Sequence, residues 1–388
     1  MAIFVLLFKN AIAKKPNSPV MDLKKLKIDE LLVWIQSPEF EILANQPVSK
    51  HRAYSYASNP RIDKNDFILY MGFENNILVA YRTLLPDWAF KNEEKIKFAW
   101  LSGSWVHPDW RRKGLSSLLL KEIFKDWNSQ LAYTNYTFSS HALFEKTKEF
   151  RCVTQFAGSR YYFRFSLAGL LYHKALFFKR CNFIFKFVDF IGNFLLEPWH
   201  AILQQRTKKM GDGLVVQLDC LSDEIKSFIE SFWLNSLTQR GFPELDWMQN
   251  KPWIFEGDKK KQGSKYYFSD FEPNVHRVYL VFKGADGKIN GFLYLNCFNN
   301  RMTVPYGVLM DSIDDWVVSV AISKLILRWK VAYLTVYNKD INKKMKHLKA
   351  VVYKKRICRK YFFTNKLVQL LEPAVWEFFD GDGDCVFT

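Results

Sequence analysis

Apolar positions along the chain fall into two kinds of run. Some are short and rich in β-branched and aromatic residues; others recur every three or four places. Residues 67–73 and 77–84 are of the first kind, and Asn75-Asn76 between them suits a tight turn. That pattern predicts an antiparallel hairpin, ended by Pro86-Asp87. A third strand is predicted over 96–106. Leu115, Leu118, Leu119 and Ile123 then share one stripe of a 3.6-residue period, with Lys121, Glu122 and Lys125 off it, which predicts an amphipathic helix. A fourth strand over 131–138, a short helix over 142–150 and a strand over 161–165 follow, and a helix over 26–35, opening near Asp22, precedes the set.

The pattern begins again after residue 213. A strand over 214–218 leads to a helix over 223–237, capped by Ser222 with Asp223-Glu224 in its first turn. After a loop-rich stretch over 241–275 comes a hairpin, 276–282 and 289–298, around Ala285-Asp286-Gly287. A helix over 314–329, a strand over 332–337, a short helix over 339–348 and a strand pair over 351–363 complete it. Hairpin, helix, strand, short helix and strand thus occur in the same order in both halves. The fold class read from this is α/β (α+β), a mixed, mostly antiparallel sheet flanked by helices, present twice.

Between the halves, 167–209 interleaves Leu170, Leu171, Phe177, Phe178, Phe183, Phe185, Phe187 and Phe190 with Lys174, Lys179, Arg180 and Lys186. It reads as a Phe-rich basic helical connector, the alternative being a helix lying on an anionic membrane surface. The expected division is an N-terminal extension (1–21), a first domain (22–166), the connector (167–213) and a second domain (214–388).

Composition narrows the function. Aromatic residues make up 17% of the 388, which excludes a disordered chain. The net charge of +17 suits nucleic acid, an anionic membrane, an acidic substrate or a polyphosphate cofactor. The six cysteines are scattered without a CxxC pair, so neither a zinc site nor a disulfide framework is expected, and a reducing cytosol fits. No 18-residue apolar run is present, so no spanning helix is expected. The apolar start, Met1 to Phe8, lacks the preceding basic residue of a secretion signal, so the first twenty residues read as an extension.

The chemistry concentrates in Val106-His107-Pro108-Asp109-Trp110-Arg111-Arg112-Lys113-Gly114-Leu115-Ser116-Ser117. Here a strand stops at a proline, a basic loop with one glycine follows, and a helix opens. The free N–H groups and positive end of such a helix suit a phosphate. In the second half Asp311, Asp314 and Asp315 stand at the corresponding place, where acid would repel a polyphosphate. One such site is therefore expected.

Residues 98–127 resemble motif A of the GCN5-related N-acetyltransferases (GNAT), V-x-P-x-x-[QR]-x-x-G-x-[GA]. Val106, Pro108, Arg111 and Gly114 carry the resemblance, with Ser116 in the last place. It implies acetyl-CoA or another acyl-CoA as cofactor. The amides of Arg112 to Ser116 would hold the pyrophosphate, Arg111, Arg112 and Lys113 would supply charge, and Val106 would pair with the pantetheine arm; Trp105, Leu115 and Ser117 complete the set. The implied activity is a cytoplasmic N-acetyltransferase acting on a small-molecule, sugar or amino-acid amine, with a degenerate second GNAT-like half. Nucleic acid is not expected as a partner, and peripheral contact with an anionic membrane stays open. Two alternatives stand beside this: a non-catalytic acyl-CoA-binding scaffold, and a Fem-type aminoacyl transferase using charged tRNA, which the ten Lys/Arg over 339–360 would suit.

The resemblance leaves the catalytic groups unassigned. Transfer to an amine needs a base and often an acid for the leaving thiolate. The family commonly places the acid, a Tyr, in a pattern like Y-E-K-x-G-F, but here the segment begins Phe144-Glu145-Lys146, and Phe144 has no proton to give. Trp100 to Trp105 carries no carboxylate either. Substitutes are Tyr136, Ser139, Ser140, His141 and Asp87, each better suited to an ordinary hydrogen-bonding role in the fold than to catalysis. His107 is expected to point away from Val106's side of the strand. No metal site is expected, because the His residues lack ligand spacing. Asp380-Gly381-Asp382-Gly383-Asp384 lacks calcium-loop spacing and reads as a solvated terminal turn.

Overall fold

The computed structural model describes residues 21–91, 94–134, 136–167, 182–208, 210, 215–232, 236–372 and 377–387. The extension read over 1–20 and the start of the connector, 168–181, lie outside these residues. The described chain opens on an edge strand, β1 (Asp22–Lys27), and not on the helix start expected near Asp22. It pairs antiparallel with the next strand from Asp22↔Phe73 to Lys27↔Phe67. Helix α1 (Ile28–Trp34) starts only where the Glu30 carboxylate accepts the Lys27 N–H at 2.8 Å. Two short helices, α2 (Pro38–Glu41) and α3 (Lys50–Ala57), each capped by a serine, follow.

The expected hairpin joins β2 (Phe67–Glu74) to β3 (Ile77–Lys91), and Asn75 and Asn76 both take positive φ at its turn. Pro86 does not end β3, which runs on to Lys91. Pairing with β2 stops at Thr83, so beyond Leu84 one side of β3 is an edge that needs no donor from the proline. The third strand, β4 (Glu94–Val106), the amphipathic helix α4 (Leu115–Asp126) and a fourth strand, β5 (Leu131–Tyr133), come next. β5 is shorter than read because Thr137 caps α5 (Phe138–Thr147), accepting the Ser140 N–H at 3.3 Å. The strand read over 161–165 is the last part of a longer one, β6 (Phe150–Tyr162).

A long helix, α6 (Asn182–Lys208), leads to β7 (Val215–Leu218) and α7 (Asp223–Phe232). The stretch read as loop holds α8 (Phe242–Asn250), opened by Gly241 with Glu244 reaching back to its N–H, and a small pair, β8 (Phe255–Glu256) with β9 (Phe271–Glu272). Then come the hairpin β10 (Val275–Lys283) and β11 (Ile289–Phe298), β12 (Arg301–Leu309), α9 (Asp315–Arg328), β13 (Tyr333–Val336), α10 (Lys339–Lys343), β14 (Tyr353–Thr364) and α11 (Asn365–Leu371). The final strand pair expected over 351–363 is the single strand β14.

Twelve strands make one sheet in the order β1-β2-β3-β4-β5-β14-β6-β13-β12-β11-β10-β7. It is mixed and largely antiparallel, with helices on its faces. The halves exchange their last long strands: β14 lies beside β5 and β6 beside β13, and the two pair with each other from Tyr353↔Tyr162 to Thr364↔Phe150. Gly158 sits at this crossing because a Cβ there would meet the Val336 carbonyl at 2.5 Å.

One face of the sheet carries two separate cores. One lies under α4 and α5 (Leu101, Leu115, Leu119, Phe144) and the other under α9 (Leu293, Val318, Ile322). The opposite face carries a single core drawn from both halves, with Trp100, Trp247, Trp253, Tyr294 and Phe387 in one cluster. A buried ion network runs through it: Arg61 to Asp87 (2.8 Å) and Glu244 (2.8 Å), and Arg240 to Asp87 (2.5 Å) and Asp382 (3.2 Å). Separation of the halves would expose these charges to incomplete pairing, so network and core act together.

Candidate active site

Parallel pairing between β4 and β5 lasts for only Ala99↔Leu131 and Trp100↔Ala132. β5 then stops while β4 runs on to Val106, so the two strands open a wedge, and among the described residues no strand neighbours the β5-side edge of Leu101 to Val106. At the closed end β4 carries a bulge: Ser102 and Gly103 together face the single residue Thr83. At the open end the His107 N–H bonds the Val79 carbonyl, and a 3-10 turn over Pro108–Trp110 leads toward α4. Arg112 and Gly114 then take left-handed backbone, with φ of 66° and 85°.

A Cβ at Gly114 would meet nothing within 4 Å, so the turn faces open space and glycine is favoured there by its φ. The first amides of α4, Leu115 and Ser116, have no intrahelical acceptor, and exposed Arg111, Arg112 and Lys113 surround them. Val106, the basic turn and Leu115 to Ser117 are thus brought together as one anion-attracting rim. Trp105 is not part of it. Its ring lies on the other face of β4, stacked on Tyr81 at 5.6 Å, and lines a groove of about 1010 Å³ with Trp34, His107 and Tyr267. His107, as expected, is on that side too.

The expected catalytic substitutes separate. Asp87 is fully buried: Oδ1 accepts from Arg61 and the Trp88 N–H, and Oδ2 from Trp100 Nε1 and Arg240. Every lone-pair direction is engaged, which suits a structural carboxylate. Ser139 and Ser140 sit in the first turn of α5, hydrogen-bonded around Thr137. Tyr136 stacks on His141 at 4.5 Å, and His141 Nδ1 meets the Tyr133 hydroxyl at 3.1 Å while Nε2 faces Glu145 at 3.4 Å. The Phe144 ring lies tilted against Tyr133 at 4.3 Å. Burial pushes the Tyr133 hydroxyl well above its ordinary range, so it stays a neutral donor.

Sequence reasoning missed two features. Arg82, 2% exposed, lies on the α4 side of the wedge beside Phe144 at 5.2 Å and donates to Ser104 Oγ at 3.0 Å. Its Nε has no partner, no carboxylate pairs with it among the described residues, and burial lowers its pKa to about 10. An arginine in an alternating strand carries no local sign that its partner is missing.

The second is the acidic C-terminal segment, which is not a solvated turn. Asp382 is 0% exposed, bonded to Thr238 and Arg240. Asp384 accepts a hydrogen bond from Ser102 in the β4 bulge, and Ser102 in turn accepts from Arg52 at 2.6 Å. Arg52 also donates to Tyr266 at 2.6 Å and lies over Trp253 at 4.3 Å. A partly exposed carboxylate thus stands at the closed end of the wedge, on the face opposite Arg82. Only long-range packing puts it there.

The second half repeats the divergence with different contents. β12 pairs with β13 from Arg301↔Tyr333 to Thr303↔Thr335 and then runs on to Leu309. The start of α9 is filled by its own cap, Asp314 accepting the Trp316 N–H at 2.8 Å. The slot itself is entered by the C-terminal segment: Gly381 N–H bonds the Pro305 carbonyl at 2.8 Å, and Asp380 accepts from Tyr337 N–H at 2.7 Å. The same segment that fills this slot carries Asp384 to the first wedge. Among the described residues there is no metal-ligand cluster and no helix long and apolar enough to cross a membrane.

Residues 29–148, which carry β4, the turn, α4 and α5, match the model of the Acetyltransferase (GNAT) family. No curated protein matches the chain. Among solved structures, a probable N-acyltransferase from Enterococcus faecalis is 11% identical over 91% of this chain and 75% of its own, with a TM-score of 0.47. A tandem GNAT protein from the clavulanic acid biosynthesis pathway is 12% identical over 89% of this chain and 98% of its own, with a TM-score of 0.48. Saccharomyces cerevisiae N-myristoyltransferase, solved with bound myristoyl-CoA, is 14% identical over 90% of this chain and 83% of its own, with a TM-score of 0.47.

Proposed function

We propose that the protein is an acyltransferase that moves an acetyl or other acyl group from acyl-CoA to an amine. The observation that carries this reading is the wedge between β4 and β5, opening onto the left-handed basic turn at the start of α4, within the residues that match the GNAT model. The residues present fit the cofactor. The turn faces open space, its amides and three cations suit phosphates, and the free edge of β4 suits an extended amide-bearing arm. Residues 22–166 would form the cofactor-binding unit. Residues 214–388 would form a second, GNAT-like unit, whose own helix start, filled by Asp314, suits no second cofactor. The scattered cysteines favour the cytoplasm.

Acyl-CoA, when bound, supplies the activated thioester. Arg111, Arg112, Lys113 and the amides of Arg112 to Ser116 hold its phosphates. The Asp384 carboxylate, positioned by Ser102, accepts a proton from the acceptor ammonium. Arg82 brings positive charge to the wedge floor, which favours a thiol leaving as its anion.

Calorimetric titration with acetyl-CoA tests the binding half of the reading. The native chain should bind and Gly114→Glu should not, by bulk and by charge; no binding by the native chain at millimolar ligand refutes it. Thiol release with a panel of amines tests transfer. Phe144, unable to give a proton, favours a second reading as a non-catalytic acyl-CoA binder. Binding without thiol release for any amine would select that second reading.

A further inference from the structure

We propose that α6 seats the protein on the surface of an anionic lipid bilayer. The proposal does not rest on the acyltransferase reading. An ordinary surface helix turns its apolar stripe inward and its polar stripe to water. From Phe183 to Trp199 α6 does the reverse. Asp189 accepts the Leu167 N–H at 2.7 Å, Asn193 bonds both the N–H (2.8 Å) and the carbonyl (3.0 Å) of Phe165, and Glu197 pairs with Arg164 at 2.9 Å. The polar side is therefore the mounting side. Phe183, Phe187, Phe190 and Phe194 fall at i, i+4, i+7 and i+11 on the outer side, each 62–72% exposed, with Leu195 and Trp199 beside them.

A stripe of large apolar residues facing water marks an interaction surface. Charge identifies its partner. Both acids of the helix, Asp189 and Glu197, are engaged by the body of the protein, through the Leu167 N–H and Arg164, whereas Lys186, Arg206 and Lys208 are exposed. In sequence, 168–181 adds Lys174, Lys179 and Arg180 and no acid. An aromatic stripe about 25 Å long with exposed cations toward both ends of the helix matches the headgroup region of an anionic membrane, on which such a helix lies in plane. It does not match a second copy. An isologous contact between two such faces would bring cations against cations at both ends.

Flotation of the full-length protein with phosphatidylcholine vesicles, with and without one-third phosphatidylglycerol, tests this. Binding to the anionic vesicles should exceed binding to neutral ones by about a hundredfold, the effect of three cations at such a surface, and should weaken with salt. Phe187→Asp with Phe194→Asp, both at exposed positions, should abolish binding while leaving the circular dichroism spectrum unchanged. Lys186→Glu with Arg206→Glu should remove the preference for anionic lipid. Absence of binding to anionic vesicles, or binding that survives the double Phe replacement, overturns the proposal. So does a lipid-free dimer, seen by sedimentation, that the Phe replacements disperse.

Discussion

Ser102 donates a hydrogen bond to Asp384, a residue 282 positions further along the chain. The contact joins the β4 bulge of the first half to the last segment of the second. Because β4 loses β5 just before the bulge, the carboxylate stands where a ligand lying in the wedge would end. Replacement of Asp384 by Asn preserves shape and the bond to Ser102 but removes the carboxylate proposed as the base. The expected outcome is a fall in kcat/KM of about a hundredfold or more, with acyl-CoA affinity unchanged. Steady-state kinetics on an accepted amine, with calorimetry for binding, checks it. An equal loss of affinity would make Asp384 a structural group.

Arg82 predicts an opposition between stability and activity. Among the described residues its buried guanidinium has one side-chain hydrogen bond, to Ser104, and no paired carboxylate, so the fold bears its desolvation without a matching ion. Arg82→Met should raise unfolding free energy on the order of 1 kcal/mol by removing the buried charge. It should also lower turnover about tenfold or more, if the cation serves an anion formed in the wedge. Denaturant unfolding and turnover measured on the same variant settle both signs. A variant that loses stability and keeps its rate would give Arg82 an ordinary packing role.

Asp87 should behave in the opposite way. It is the carboxylate common to Arg61 and Arg240, so Asp87→Ala leaves two buried cations with one acid each, Glu244 and Asp382. The expected loss is about 3–5 kcal/mol of unfolding free energy. Chemical denaturation measures it. A variant of native stability with a large drop in rate would return Asp87 to the catalytic candidates.

The sequence made the hairpin, the amphipathic helix and the basic glycine turn legible because each is written in adjacent residues. Asn75-Asn76 requires positive φ, the Leu115/Leu119/Ile123 stripe has one period, and Gly114 tolerates a conformation that a β-carbon resists. Strand β1 was misread because its helix cap, Glu30 on Lys27, comes five residues after Asp22. The exchange of β6 and β14, the inward acidic tail and the meeting of Ser102 with Asp384 depend on which distant segments pack together. No local spacing records that, and charge is a poor guide to it. An acidic stretch ordinarily prefers water, and this one is buried because Thr238, Arg240, Arg359 and backbone amides receive it.

That buried tail gives the protein a specific pH response through Asp380. Burial raises its carboxyl to about 6 from the ordinary 3.8, against the opposing pull of Arg359. The folded chain therefore holds the proton more tightly than the unfolded chain. Below about pH 4 both states are protonated, and the contribution of this group to stability is fully present. Between about pH 4 and 6 the unfolded chain releases its proton first and the contribution falls, by up to about 3 kcal/mol once the folded carboxyl also ionises. Asp380→Asn imitates the protonated acid and keeps an acceptor for the Tyr337 N–H, so it should remove this part of the pH dependence. The variant should match the native chain near pH 4 and exceed it in unfolding free energy at pH 8. Denaturant unfolding at both pH values isolates the effect, because the remaining titrating groups, Asp382 included, are common to the two proteins. A variant less stable than the native chain at pH 8 would mean that the charge on Asp380, through Arg359, helps to hold the tail in place.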